Sequence, residues 1–324
     1  MTVSNVVNGN AARVSPETAA RVEEAIAAAG YVPNAAARSL AARHTRLVGL
    51  VMPASQRDVS LLASPHDSAV AGAIEAALRA KDYHVMIRGA AGARDVRDSV
   101  QRWALDGVVL MGFTDDELRA LDVASGVPTV VVDASFGEGS TFLHVRSDDF
   151  AGGRLAAEHL TALGHRRLVF CGPFRSKSRV VSDRLAGFRA GVAAAGLDQD
   201  AVELVDAWTT YEAGILIGAA LAERPGPRPT GLFATADILA AGVMRGLADA
   251  AVAVPRELSV VGYDDAELAL FVTPRLTTVA QDTRRKGQAA ALLLVSAIEG
   301  APTPRSAGVD VALVVRESTA AARS

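Results

Sequence analysis

The sequence predicts an α/β protein built on parallel sheet, preceded by a short all-helical segment. Three observations carry this. From residue 47 onward, short β-branched runs alternate with longer Ala/Leu-rich stretches, the pattern of consecutive βα units. The strand candidates are near-continuously apolar, as in strands covered on both faces. The first 46 residues show helical signals only. At roughly 150 residues per domain, 324 residues suffice for about two folding units.

Taken in order, Val3, Val6 and Val7 make a short apolar face that Asn8-Gly9 ends, which reads as a very short helix. Ser15 before Pro16 is a helix start, a hydroxyl to cap free amides and a proline for the first turn, and Gly30 marks the stop. Between them Val22, Ile26 and Ala29 form an apolar stripe. Pro33-Asn34 then precedes a helix-prone alanine stretch, Ala35 to Ala42, too short to be stable alone. The predicted strands are Leu47 to Met52, Tyr83 to Ile87, Gly107 to Met111, Pro128 to Val132, Arg167 to Cys171, Ala201 to Val205, Gly231 to Ala234 and Leu258 to Gly262. Helical periodicity fills the gaps: in Ala69 to Arg79, Val70, Ile74, Ala77 and Leu78 share one face, away from Glu75 and Arg79. Arg224 to Pro229 reads as a surface connection. Periodicity alone does not choose between one barrel and two doubly wound lobes.

The net charge of −3 is unevenly spread. Residues 1 to 46 carry Arg13, Arg21, Arg38, Arg43 and Arg46 against Glu17, Glu23 and Glu24, hence +2, which leaves −5 for the rest. A mildly basic end on an acidic body permits phosphate contacts there without requiring them. No run approaches the roughly 18 apolar residues of a membrane span, and no hydrophobic signal core opens the chain, so a cytoplasmic protein is expected. The single cysteine, Cys171, lies in an apolar run and reads as a buried small hydrophobe. No nucleophile elbow, phosphate-binding loop or His-Glu-x-x-His helix occurs, and the six histidines lack metal-ligand spacing. No catalytic residue, metal or cofactor is expected.

Several strings resemble the lactose/galactose-repressor (LacI/GalR) family in order and spacing: Thr2-Val-Ser-Asn-Val-Val-Asn-Gly9, Ser15-Pro-Glu-Thr18, Gly30-Tyr-Val-Pro-Asn34 and Ala37-Arg-Ser-Leu40. Further matches are Asp106-Gly-Val-Val-Leu110, Asp148 with Gly152-Gly153, the run from His159 to Arg167, Arg184-Leu-Ala-Gly-Phe188, Ser259-Val-Val-Gly-Tyr-Asp-Asp265, Leu276-Thr-Thr278 and Val315-Arg-Glu-Ser-Thr319. Any one is weak; together they span nearly the whole chain.

The resemblance implies a headpiece and hinge helix over 1–46, then two doubly wound lobes of the periplasmic-binding-protein type joined by three crossovers. The first lobe would take about 47–147 and 280–305, the second about 148–279 and 306–324. It implies a ligand-responsive regulator, in the usual case a repressor, that binds palindromic operator DNA as a homodimer and takes a small-molecule effector, a sugar or related polar metabolite, between its lobes. DNA contacts would fall to Thr2, Ser4, Asn5, Asn34 and Leu40; Asn5 could pair with adenine, and Leu40 would enter the minor groove as an apolar wedge. Effector contacts would fall to Arg184, Asp264, Trp208 and Asp148, with Asp148 alternatively a helix cap.

Two departures bear on function. The sequence opens at what matches the recognition helix, so the helix-turn-helix is partial: either the reading frame starts upstream, or independent operator recognition is lost. In the second case a stand-alone intracellular sensor is the alternative. Ala236-Asp237 stands where relatives often carry Asn-Asp, and Val59 to Leu62 replaces a polar-aromatic loop, which points to an unusual ligand.

Overall fold

A computed structural model of the chain describes Val3, Val6 and residues 14–30, 44–54, 60–121, 126–134, 142–176 and 178–323. The expected DNA contacts Thr2, Ser4, Asn5, Asn34 and Leu40 lie outside the described residues. In the N-terminal segment α1 (Pro16–Ala28) starts where the Ser-Pro signal places it. Ser15 Oγ accepts from the Thr18 amide at 3.3 Å, and Gly30 closes the helix at φ 57°. Val22, Ile26 and Ala29, with Val3, line an apolar hollow of ≈550 Å³.

From Leu47 the chain forms two six-stranded sheets rather than a barrel. The first contains β1 (Leu47–Pro53), β2 (His84–Ala90), β3 (Gly107–Met111), β4 (Thr129–Val132), β5 (Leu143–Ser147) and β11 (Ser306–Val309), in the order β11-β5-β4-β3-β1-β2. The second contains β6 (Leu168–Gly172), β7 (Val202–Asp206), β8 (Gly231–Ala234), β9 (Ser259–Asp264), β10 (Thr277–Gln281) and β12 (Val311–Val314), in the order β12-β10-β9-β8-β6-β7. Every pairing is parallel except β10 with β12.

All eight strands read from apolar runs are present, with ends moved by at most three residues. β5, β10, β11 and β12 are additional. β11 and β12 lie at sheet edges and bury little, so their sequences lack a continuous apolar run. The crossovers differ from the expected boundaries. β10 stays in the second sheet through Gln281, and β11 covers the open edge of β5 in the first sheet, so the final return falls at Asp310 rather than 306.

In the first lobe α2 (Pro65–Arg79) and α10 (Thr283–Ile298) cover one face, with Val48, Leu50, Ile74, Leu78, Val130 and Leu294 buried between helices and sheet. The other face packs Val96 and Val100 of α3 (Ala93–Trp103) and Leu118 of α4 (Asp115–Arg119). In the second lobe α5 (Asp149–Ala162) and α6 (Arg179–Ala194) cover one face, and α7 (Tyr211–Glu223) and α8 (Asp237–Asp249), with Ala269 of the short α9 (Leu268–Phe271), the other. Both helix pairs touch backbone to backbone through glycine. A Cβ on Gly153 would lie 2.0 Å from Arg184 O, one on Gly187 1.9 Å from Phe150 O, and one on Gly242 2.1 Å from Tyr211 O. Phe170, Phe188 and Phe233 fill the space beneath α5 and α6, the last two stacked with centroids 5.4 Å apart.

Cys171 is fully buried on β6, and burial pushes its thiol pKa up to about 12. A thiol-specific disulfide reagent should therefore label no cysteine in the native protein at neutral pH, and one per chain in denaturant. Prompt labelling without denaturant would place Cys171 elsewhere.

Candidate functional site

Open α/β sheets bind ligands beyond the carboxyl ends of their strands. Here the carboxyl ends of both sheets meet at one seam, where β4 delivers Asp133, β9 Asp264 and β10 Gln281, while the loop after β1 leads to His66 at the start of α2. Asp264 and Asp265 hold φ of 115° and 55°, the sparsely populated left-handed side that costs a non-glycine residue about 1–3 kcal/mol.

On the second-lobe side Arg184, from α6, is buried. Its Nε donates to Asp149 Oδ1 at 2.9 Å, its Nη1 donates to Thr235 O at 2.6 Å, and its guanidinium lies 3.5 Å from the Tyr263 ring centroid. Tyr263 OH donates to the same Asp149 oxygen at 3.2 Å. Burial opposes the charge on Arg184, but Asp149, Tyr263 and Asp264 outweigh it and raise its pKa, so it stays a cation. Asp237, the first residue of α8, accepts from Thr278 Oγ1 at 2.6 Å and from the Ala266 amide at 2.8 Å. Burial, reinforced by the charge of Asp264, raises its pKa well above the carboxylate range.

On the first-lobe side Lys286, from α10, is wholly buried. Its Nζ donates to Asp133 Oδ1 at 2.6 Å and Oδ2 at 2.9 Å, and to Gln281 Oε1 at 2.7 Å. Burial alone would raise the Asp133 pKa; Lys286 and His66 outweigh it and hold the group below the usual carboxylate range. Gln281 joins the two sides. Its Oε1 also accepts from Ser147 Oγ at 2.9 Å, and its Nε2 donates to Asp264 Oδ1 at 2.6 Å while facing His66 Nδ1 at 3.3 Å. On its other side the His66 ring sets Nε2 3.3 Å from Asp133 Oδ2. The void at Asp133, Asp149 and Arg146 is only ≈10 Å³, too small for a metabolite.

Of the expected effector residues, Arg184 and Asp264 both face this seam. Asp148 does not join the network: its Oδ1 accepts from the Ala151 amide at 2.9 Å and caps α5, and its neighbour Asp149 meets Arg184 instead. Trp208 stands on the loop from β7 to α7, 67% exposed. Sequence reasoning missed Asp133, Asp149, Lys286, Gln281 and His66. Asp133 carried a readable signal, a carboxylate directly after the valine strand β4 (Thr129–Val132), much as Asp264 ends β9. Among the described residues no cluster of His, Cys, Asp and Glu could hold a metal ion, and no helix is long and apolar enough to cross a membrane.

Residues 1–34 match the lacI family of bacterial regulatory proteins, and residues 157–319 match the periplasmic binding protein-like domain. The HTH-type transcriptional regulator CelR of Thermobifida fusca is 34% identical, over 98% of this chain and 94% of its own length. The ribose operon repressor of Haemophilus influenzae is 29% identical over the same shares. Among solved structures, the lac repressor dimer bound to operator and the anti-inducer ONPF superimposes with TM-score 0.86 at 27% identity, over 99% of this chain and 95% of that one. A CelR–cellobiose complex does so with TM-score 0.73 at 30% identity, over 97% and 94%. With a helical N-terminal segment, two parallel-sheet lobes and charged side chains gathered where the strands of both lobes end, the chain belongs to the LacI family of bacterial transcriptional regulators.

Proposed function

We propose that this chain is a cytoplasmic homodimeric transcription regulator, not an enzyme, in which a polar, sugar-like effector entering between the lobes alters affinity for palindromic operator DNA. The carrying observation is the seam itself, where Arg184–Asp149 and Asp264 from one lobe face Lys286–Asp133 and His66 from the other through Gln281. Parting the lobes offers both ionic pairs to hydroxyl groups, and charged partners give the stronger hydrogen bonds. The effector role is assigned to Arg184 and Asp264, with Asp148 acting through the helix that presents Asp149, and with Trp208 at the rim as a stacking face. The functional units are the headpiece over 1–46 and the two lobes, and DNA contact falls to Thr2, Ser4, Asn5, Asn34 and Leu40.

The relatives supply probes, since one is a ribose operon repressor and another was solved with cellobiose. Selection from random duplexes should yield a palindrome, and one of a panel of such sugars should change its retention in a gel shift at fixed salt. Asp264→Asn should weaken that sugar roughly 10- to 100-fold through loss of charged hydrogen bonds. Full-affinity sugar binding by Asp264→Asn would remove Asp264 from the site. A selected palindrome with no sugar response would overturn the effector reading, and sugar binding without DNA selection would establish the sensor alone.

A further inference from the structure

A second cavity lies at the opposite end of the second lobe, where the amino ends of β6, β8 and β9 emerge. It encloses ≈220 Å³, room for roughly seven waters. Arg228 and Thr230 reach it from the segment before β8, Arg256 and Glu257 from the segment before β9, His165 from the turn before β6, and Arg323 from the C-terminal tail.

The walls are fixed. Arg167 Nε donates to Arg228 O at 2.8 Å, the Ala322 amide donates to Leu163 O at 2.8 Å, and the Ala320 amide donates to Ser259 Oγ at 3.1 Å. His165 is buried between the tail and β8. Its Nε2 lies 3.0 Å from Ala320 O, which can only accept, so the proton sits there, and Nδ1 takes the Thr230 hydroxyl at 3.0 Å. Burial lowers the pKa of this ring, so it contributes no charge. The sole carboxylate in the lining, Glu257, is turned to its own backbone, its Oε2 accepting from the Ala253 amide at 2.8 Å.

That leaves three guanidiniums from three separate segments. Among the described residues none of the three has a carboxylate within ion-pair distance, although the chain as a whole is acidic. Like charges around one cavity repel, and an anion among them reverses the sign of the local energy. Guanidinium forks match the tetrahedral oxygens of a phosphate, in one or two pairs of parallel bonds. We propose that this pocket binds a small phosphate-bearing molecule at a site separate from the interlobe cleft. Such an anion would bridge the tail to the strand segments beneath it and so tighten the second lobe without entering the seam.

Inorganic phosphate, and separately glycerol phosphate as a simple monoester, would be titrated into the full chain by calorimetry at constant ionic strength set with chloride. One saturable site per chain is expected. The double variant Arg228→Ala/Arg256→Ala should weaken it at least tenfold, with an unchanged circular dichroism spectrum because both side chains are exposed. Asp264→Asn and the distant surface variant Arg79→Ala should leave it unchanged. Tighter binding of the ester identifies a phosphorylated metabolite; equal binding identifies free phosphate. Unsaturable uptake, or equal affinity in the double variant, overturns the proposal.

Discussion

Replacing Arg184 with alanine should lower the stability of the second lobe by about 3–5 kcal/mol, because the substitution strands a buried carboxylate. Asp149 is 5% exposed; without the guanidinium it keeps only the Tyr263 hydroxyl, and Thr235 O loses its 2.6 Å donor. At roughly 2–4 °C per kcal/mol for a unit of this size, the melting midpoint should fall by about 6–20 °C. The family resemblance makes Arg184 an effector contact; its 7% exposure makes it part of the fold as well. Arg184→Met with Asp149→Asn should recover much of the loss, since the second change removes the stranded charge. A fall of less than about 1 kcal/mol in Arg184→Ala, measured by urea unfolding, would mean that water reaches this pair.

Gly187→Ala should also be damaging, by about 2 kcal/mol net, for a steric reason. The added methyl would sit 1.9 Å from Phe150 O, a backbone atom that no side-chain rotation can move, so α5 and α6 must separate. Overpacking of this kind costs about 3 kcal/mol, against roughly 1 kcal/mol gained from the better helix propensity of alanine. The separation would also draw Asp149 on α5 from Arg184 on α6, so ligand response should fail with stability. Gly72→Ala is the matched control: it lies on the exposed face of α2 with no atom within 4 Å of the new Cβ, and should stabilise by about 0.5–1 kcal/mol. Equal denaturation midpoints for the two variants would show that the helix contact is looser than described.

Much of this architecture was legible because parallel strands covered on both faces must be apolar throughout: Val130 to Val132 and Leu168 to Cys171 can hardly be anything else. β12 was hidden because an edge strand needs no such run. Asp264 was legible as the polar residue that ends a buried strand. The choice between Asp148 and Asp149 was not, since adjacent acids read alike until the first is committed to the Ala151 amide and the second turns toward α6. Lys286 and Gln281 stayed hidden for another reason. Lys286 meets Asp133 across 153 residues and Gln281 meets Ser147 across 134, and no spacing rule reports contacts of that range. A lone lysine beside Gly287, Ala290 and Leu294 on the buried face of α10 was the available hint.

The interleaved connectivity imposes a timetable on synthesis. The first sheet cannot cover β5 until residues 306–309 exist, and β10 has no partner on its outer side until residues 311–314 follow. Ser318, later still, donates to Val260 O at 2.6 Å and accepts the Thr277 amide at 2.8 Å, locking β9 to β10. Because chains emerge amino end first, at about 5–20 residues per second, both lobes reach the ribosome exit incomplete, with a parallel edge open on each. They are then finished within a few residues of each other, so a nascent chain cannot bank one folded lobe while making the next, and a fragment ending before residue 306 completes neither.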